Sequence, residues 1–410
     1  MEPAVVSHRR YACATGSYPP PLNILIVAGE ASGDLHAARL VAAIKEELPG
    51  AAFAGVGGEA LAAQGVRILW PAAELAVVGL SEVAARLPAV WGALRTIARV
   101  LKNERPGLVI LVDFPDFNFW VARIARFYRV PVMYYISPQV WAWRTYRVRT
   151  IARLVDRMVV IFPFEAEFYQ EKGVPVAYVG HPLMETLPPA PPRGELLEEW
   201  GLDPRRLTLA LLPGSRAGEI ERHLPIMLQG AALIKEAIPE TQFLLPLAST
   251  APAEMVEKMV LAAWPERAGP GLKPGPAIKI IRGRSYEALA AAQLAVVASG
   301  TATVEAALAA TPSIIIYRVS PLTFAVGRRL VRVSHAGMAN LLAGERMFPE
   351  LLQDDFTPEH LAREVLLLVG DRGRLDAMRR GLARIIERLG GPGASRRAAR
   401  VALEIMAGKK

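Results

Sequence analysis

Two acidic loops and two anion-binding turns are the stretches of this sequence whose residue types and spacing fit chemistry. In LVILVDFPDFNF, Asp113 follows a buried-looking apolar run, and Pro115 forces a turn before Asp116. A carboxylate at the end of a strand can act as a general base when a proton donor lies within hydrogen-bond reach. It can equally serve as an acceptor that stabilises the loop, and Asp116 as a helix cap. In AGEASGD, Ala28 to Asp34, the glycines Gly29 and Gly33 permit close backbone approach and Glu30 stands on the loop itself. Ser32 and Asp34 are placed to cap the following helix. The spacing is not GxGxxG, so the dinucleotide fingerprint is absent.

The second half carries the turns. LPGSRAGE runs from a strand-like segment into a helical one through Pro213, Gly214, Ser215 and Arg216. Gly214 and Ser215 can offer backbone N–H donors, and Arg216 can neutralise phosphate oxygens bidentately. ASGTATVEAAL repeats the arrangement, with Ser299, Gly300 and Thr301 leading into a helix whose positive end suits a phosphate. Glu305 follows on the first turns of that helix, within reach of a ribose hydroxyl. Two anion turns and a carboxylate in one half of the chain describe a nucleotide diphosphate pocket better than either turn alone.

The segment YYISPQVWAWRTYRVRTIARLVDR interleaves Trp141 and Trp143 with Arg144, Arg147, Arg149, Arg153 and Arg157. Four-residue spacing puts the last three on one helical face. Such a face fits a nucleic acid, a phosphosugar, an anionic bilayer or plain solvent. His36, His181, His223 and His335 lack metal-ligand spacing, and each reads as structural before catalytic; His181, in VGHP after a strand, is the one to test. HExxH, GxSxG, Walker A and kinase signatures are missing, and no Asp-x-Asp pair stands near the nucleotide turns, so the expectation is no metal and no cofactor.

These loops need a scaffold that presents strand ends, and the apolar pattern supplies one. Short Val/Ile/Leu runs alternate with helical periodicity: NILIVA, AFAGV, LVILV, VMYYI, MVVIF and VAYV in the first half, then LTLALL, QFLLPL, IKII, AVVA and SIIIY. That is the pattern of α/β domains with parallel strands covered on both faces. Ligands then sit at the carboxyl ends of strands, and a cleft between two such domains is the default site. The expected organisation is a frayed tail over 1–22, a Rossmann-like domain over 23–186, a Pro-rich linker over 187–204, a second Rossmann-like domain over 205–372 and basic C-terminal helices over 373–410. A hydrophobic fraction of 52% with 21% charged residues argues against disorder in a 410-residue chain. Cys13 is the sole cysteine, which excludes a disulfide framework and a cysteine zinc site. A net charge of +9 favours polyanionic partners without choosing among them. Uninterrupted apolar runs are too short to span a bilayer, leaving surface attachment open.

Taken in order and spacing, AGEASGD, DFPDFN, YYISPQVWAWR, FPFE, VGHPL, LLPGSR, ASGTATVE and NLLAGE resemble the lipid-A-disaccharide synthase family, from Asn23 to about Val369 and again over the C-terminal helices. SPQVWAWR is the most specific of these strings. The resemblance implies a GT-B architecture, two Rossmann-like domains facing a cleft with the C-terminal helices crossing back to the first, and an inverting glycosyl transfer. In that reaction 2,3-diacylglucosamine passes from its UDP donor to the 6-hydroxyl of 2,3-diacylglucosamine 1-phosphate, giving a β-1,6 disaccharide and UDP. It further implies Asp113 as general base, Glu30 as an acidic loop residue near the acceptor, Arg216 as a phosphate ligand, Glu305 as a ribose contact and Asn340 as a cleft-lining polar residue. Ser137, Trp143 and Arg144 of the aromatic string join Gly214, Ser215, Ser299, Gly300 and Thr301 as substrate-binding residues. The expected partners are the two acylated substrates and the anionic inner face of the cytoplasmic membrane, met peripherally through the arginine face or through PLTFAVGRRLVRVSH, and no nucleic acid. The segment before Asn23 and the string VGHPL, in place of the commoner GHTM type, depart from the family pattern.

Overall fold

The computed structural model describes residues 23–75, 83–142, 145–187, 189–248, 251–263, 277–320, 324 and 335–408. The expected tail over 1–22, Trp143, Arg144 and nearly all of PLTFAVGRRLVRVSH lie outside these residues. The chain divides into two compact units, Met1–Met133 with Ala402–Lys410, and Tyr134–Val401.

Seven strands form the first sheet: β1 (Asn23–Ala28), β2 (Ala52–Gly57), β3 (Arg67–Pro71), β4 (Leu108–Val112), β5 (Val132–Tyr135), β6 (Arg157–Val160) and β7 (Val176–Tyr178). Six form the second: β8 (Thr208–Leu212), β9 (Gln242–Leu247), β10 (Ala277–Arg282), β11 (Leu294–Ala298), β12 (Ser313–Tyr317) and β13 (Glu350–Leu352). The orders are β3-β2-β1-β4-β5-β6-β7 and β10-β9-β8-β11-β12-β13. The first strand of each sheet therefore lies at its centre, and the order reverses beside it. This is the topological switch point of a doubly wound α/β sheet, beyond whose strand ends ligands bind. Central strands such as LVILV and TLALL are buried along their whole length, because helices cover both faces.

The two strands not foreseen, β3 and β13, are both edges. RILWP is partly exposed and carries Arg67 and Pro71, while β13 is three residues long and opens with Glu350. Neither makes an apolar run. Two further expectations need correction. Arg149 and Arg153 lie exposed on the Val148–Leu154 helix, but Arg157 begins β6: the buried run Met158–Val160 imposes a strand, and the arginine face ends a turn early. The expected linker also holds a helix, Arg193–Glu199, whose Leu196 and Leu197, with Trp200 just beyond, pack into the core beneath the second sheet.

The end of the chain returns to β7. After the Arg372–Arg388 helix, the carbonyl of Arg388 accepts from the Tyr178 hydroxyl (2.7 Å) and that of Leu389 from the His181 N–H (3.0 Å). At the Ala394–Met406 helix, Ser395 N–H and hydroxyl both donate to the Glu185 carboxylate (2.7 Å each), and Arg397 Nε donates to the Val179 carbonyl (2.7 Å). The expected crossing back of the C-terminal helices is present.

Candidate active site

At the first switch point β1 pairs with β4 through Ala28 and Val112, so the loops that follow leave the sheet side by side. One runs through Gly29 and Glu30 into the Ala31–Glu47 helix, the other through Asp113 and Phe114 into the Pro115–Phe127 helix. Glu30 is exposed at the helix entry. Asp113 (φ +45°) and Phe114 (φ +49°) are consecutive side-chain-bearing residues in the left-handed region, at a cost on the order of 1–3 kcal/mol each. Two contacts hold them there. Asn118, fully buried, donates from Nδ2 to the carbonyls of Asp113 (2.6 Å) and Val112 (3.3 Å), and its N–H donates to that of Phe114 (3.1 Å). The Phe114 ring lies on Gly29 so closely that a Cβ there would fall 2.2 Å from ring carbons. The Glu30 and Asp113 loops are thus brought together. Asp34 does not cap its own helix: its buried carboxylate accepts from Gly58 N–H (2.7 Å) and Ala60 N–H (2.9 Å), capping the Glu59–Ala63 helix instead. Asp116 stands in the first turn of its helix, past the cap position.

At the second switch point β8 pairs with β11, Leu212 opposite Val297, and the two predicted turns again emerge side by side. Gly214 sits at φ +116° and Arg216 is the exposed entry residue of the Ala217–Ala237 helix. The N–H groups of Ser215 and Arg216 point at one carboxylate oxygen of Glu219 (3.2 and 3.4 Å). A negative group therefore already fills the nest that the sequence assigned to a phosphate. Behind it, the buried ring of His223 joins the Pro213 carbonyl to the backbone of Arg318, beyond the end of β12.

In the neighbouring turn Gly300 has φ +151°, and an added Cβ would meet nothing within 4 Å. Conformation, not crowding, requires glycine there, and the backbone stays open to a ligand. Thr301 is exposed at the start of the Thr301–Leu308 helix. Ser299 turns away: its N–H donates to the Ile316 carbonyl (2.9 Å) and its hydroxyl to that of Ala336 (2.6 Å). The carboxylate of half-buried Glu305 has neither hydrogen bond nor ion pair among the described residues, and burial raises its pKa above the ordinary carboxylate value. An unpaired carboxylate at a strand-end turn is a group left for a ligand.

The aromatic string is mostly internal scaffolding. Trp141 donates from Nε1 to the buried Glu165 carboxylate (3.0 Å), which also accepts the N–H groups of Ile161 (3.3 Å) and Phe162 (3.2 Å). SPQVWAWR and FPFE thereby close on one another. Ser137 is buried, receiving the Tyr169 hydroxyl (2.8 Å) and donating to the Pro138 carbonyl (2.9 Å); burial pushes the Tyr169 pKa up. His181 is buried against the Phe162 ring, with Nδ1 accepting from Leu183 N–H (3.2 Å).

A family model described as lipid-A-disaccharide synthetase matches residues 24–405. The chain belongs to this family. The lipid-A-disaccharide synthase of Geobacter metallireducens is 46% identical over 391 residues, 95% of this chain and 99% of that one. Among solved structures, a UDP-N-acetylglucosamine 2-epimerase described as putative, from Listeria monocytogenes, superposes with TM-score 0.62 at 15% identity, covering 95% of this chain and 98% of that one. The glycosyltransferase of kitacinnamycin superposes with TM-score 0.58 at 15% identity, covering 95% and 100%. At that identity the structures speak for the two-domain GT-B fold alone. Membership of the synthase family makes the protein an enzyme, a glycosyltransferase that forms the lipid A disaccharide.

In this chain the strand-end loops and the helices they enter hold Glu30, Asp113, Gly214, Ser215, Arg216, Gly300, Thr301 and Glu305 at the two switch points. Asn340 and the hydroxyls of Ser137 and Ser299 are turned inward. Asn340 is fully buried: Nδ2 donates to the Phe348 carbonyl (2.9 Å) and to Glu350 (2.8 Å), and Oδ1 accepts from the N–H groups of Met347 (3.0 Å) and Phe348 (2.9 Å). Every hydrogen-bonding capacity of the amide is taken, so it locks its loop instead of lining a cleft. Asn118 and Glu219 were missed. Their signals were present as an Asn three residues after Pro115 and an acidic residue three after the helix-entry Arg216.

Proposed function

We propose that the enzyme transfers the 2,3-diacylglucosaminyl group of its UDP donor to the 6-hydroxyl of 2,3-diacylglucosamine 1-phosphate, inverting the anomeric centre and releasing UDP. The supporting observation is the division of labour between the switch points, acidic on the first sheet and anion-binding on the second, in a chain of this family. Asp113 takes the proton of the acceptor hydroxyl as its oxygen attacks the anomeric carbon, and the bond to UDP breaks on the opposite face of the sugar. Glu30 helps to place the acceptor. The Arg216 guanidinium and the N-terminus of the Thr301–Leu308 helix take up charge developing on the diphosphate. The ribose hydroxyls bind Glu305, whose lack of an internal partner leaves it open to them. Because cationic side chains and N–H groups carry this charge, turnover is expected to survive chelating agents.

Both substrates carry acyl chains, so the enzyme meets the inner face of the cytoplasmic membrane from outside the bilayer; no described helix is long and apolar enough to cross one. Exposed Arg149 and Arg153 are candidates for that contact. The decisive test is incubation with both diacylated substrates and detection of the disaccharide 1-phosphate by mass spectrometry. Failure to form it, with UDP bound and a UDP-sugar converted in another way, would overturn the reading in favour of a different UDP-sugar enzyme.

A further inference from the structure

Two backbone groups at the ends of non-adjacent strands share one buried imidazole. His223 Nδ1 lies 2.7 Å from the Pro213 carbonyl oxygen, and its Nε2 accepts the Arg318 N–H at 3.0 Å. The Pro213 carbonyl can only accept, so in the neutral ring the proton sits on Nδ1 and the bare Nε2 takes the Arg318 N–H, with the Arg318 carbonyl 3.2 Å from the same nitrogen. In the sheet, β8 and β12 are separated by β11. The ring therefore bridges past the strand that carries Ser299, Gly300 and Thr301. Pro213 directly precedes Gly214, whose φ of +116° marks the most permissive link in the diphosphate turn. Tyr317 and Phe356, with ring centroids 6.0 Å away, help close off the imidazole.

We infer that His223 is a positioning residue for the donor: by fixing the Pro213 carbonyl against the end of β12, it sets where the Arg216 guanidinium meets the diphosphate. The role rests on the donor-binding reading above. A packing role alone would be filled by an apolar side chain without the desolvation of two ring nitrogens. Among the described residues, the titratable and charged groups facing the ring are Glu219 and Arg222 on its own helix and Tyr317 and Arg318 at the end of β12. Burial, the largest effect, lowers the His223 pKa below its ordinary 6.5. The neutral ring's contribution is accordingly full above 6.5 and lost as pH falls through the lowered folded value. Protonation would give up the bond from the Arg318 N–H and leave Nε2 to donate to the Arg318 carbonyl, 3.2 Å away, shifting the end of β12 against the Pro213 turn.

The experiment measures UDP affinity by calorimetry, with donor KM and kcat, from about pH 7.5 down to about pH 5. It compares the unaltered enzyme with His223→Leu, His223→Gln and Arg216→Ala. His223→Leu should weaken UDP binding about 5- to 30-fold and raise donor KM, with kcat at saturating donor little changed. His223→Gln should recover most of that affinity, since its amide can donate to Pro213 and accept from Arg318, and it should lose the decline in affinity toward acid pH. Unchanged UDP affinity in folded His223→Leu, or an unaltered acid decline in His223→Gln, overturns the role. If Leu prevents folding, the Gln profile decides alone. Loss of UDP binding in Arg216→Ala but not in the His223 variants refutes the inference and spares the donor reading; an unaltered enzyme that binds no UDP refutes both.

Discussion

At the end of β4 the chain turns through Asp113 and Phe114, both bearing side chains at positive φ, whereas the turns after β8 and β11 place Gly214 and Gly300 at positive φ. The two turns present different chemistry. The first switch point bears backbone strain at Asp113 and Phe114 and offsets it with Asn118 and the ring of Phe114 on Gly29, as the base proposed for Asp113 would require of a side chain. The proposed diphosphate site needs open backbone and no bulk, and Gly300 supplies both at the second. The first turn is held by contacts that crowd it. The second is held at its ends by Glu219 and His223, and space is left over Gly300.

Substitutions that separate chemistry from donor binding break this comparison most directly. Asp113→Ala should lower turnover about 10²- to 10⁴-fold while calorimetry finds UDP affinity unaltered; near-normal turnover would remove the base from the first switch point. Arg216→Ala should weaken UDP binding about 10- to 100-fold, the range of a charge-assisted hydrogen bond, and unchanged affinity would take the diphosphate away from the second. Two glycine replacements sharpen the contrast. Gly29→Ala drives a methyl into the Phe114 ring and should destabilise the fold by about 1–3 kcal/mol, lowering kcat as the Asp113 turn shifts. Gly300→Ala meets open space and suffers only from its φ, about 1–3 kcal/mol of strain, and should raise donor KM instead. If both variants changed the same kinetic constant, the division between the turns would fail.

The smallest effect concerns Glu305. Its raised pKa favours the neutral form in the folded protein, so its contribution to stability is full below the ordinary value of 4.5 and lost as pH rises through the folded value. Glu305→Gln escapes that loss. It should melt slightly above the unaltered enzyme at neutral pH, with the gap closing toward about pH 4, while its UDP affinity falls. A melting difference independent of pH would mean that the carboxylate is not the titrating group.

Nine of the eleven strands read from apolar runs are interior ones, buried on both faces and needing no polar alternation, and the edges β7 and β10 happen to keep short apolar runs as well. β3 and β13 escaped because an edge strand borrows hydrogen bonds from one side only and tolerates Arg67 or Glu350. The loops of the site were legible for a related reason: strand-to-helix junctions rich in glycine, serine and acidic residues stand out against apolar surroundings. Side-chain direction was not. Ser299 and Asn340 have the composition of ligand contacts, yet each bonds to a carbonyl or N–H distant in sequence, which spacing cannot reveal. Asp34 likewise caps a helix 24 residues further on. For the aromatic string, specificity of sequence marked the Trp141–Glu165 tie as much as any contact with substrate.

The bonds from Tyr178 to Arg388 and from Glu185 to Ser395 join residues 210 positions apart. A ribosome adding about 5 to 20 residues per second needs on the order of 10 to 40 s to supply the later partners. Throughout that interval the Tyr178 hydroxyl, His181 N–H and Glu185 carboxylate of the nascent first half wait without these partners. The last segment synthesised is therefore the one that closes the turn after β7, and the fold of the first half is completed only when the chain is nearly whole.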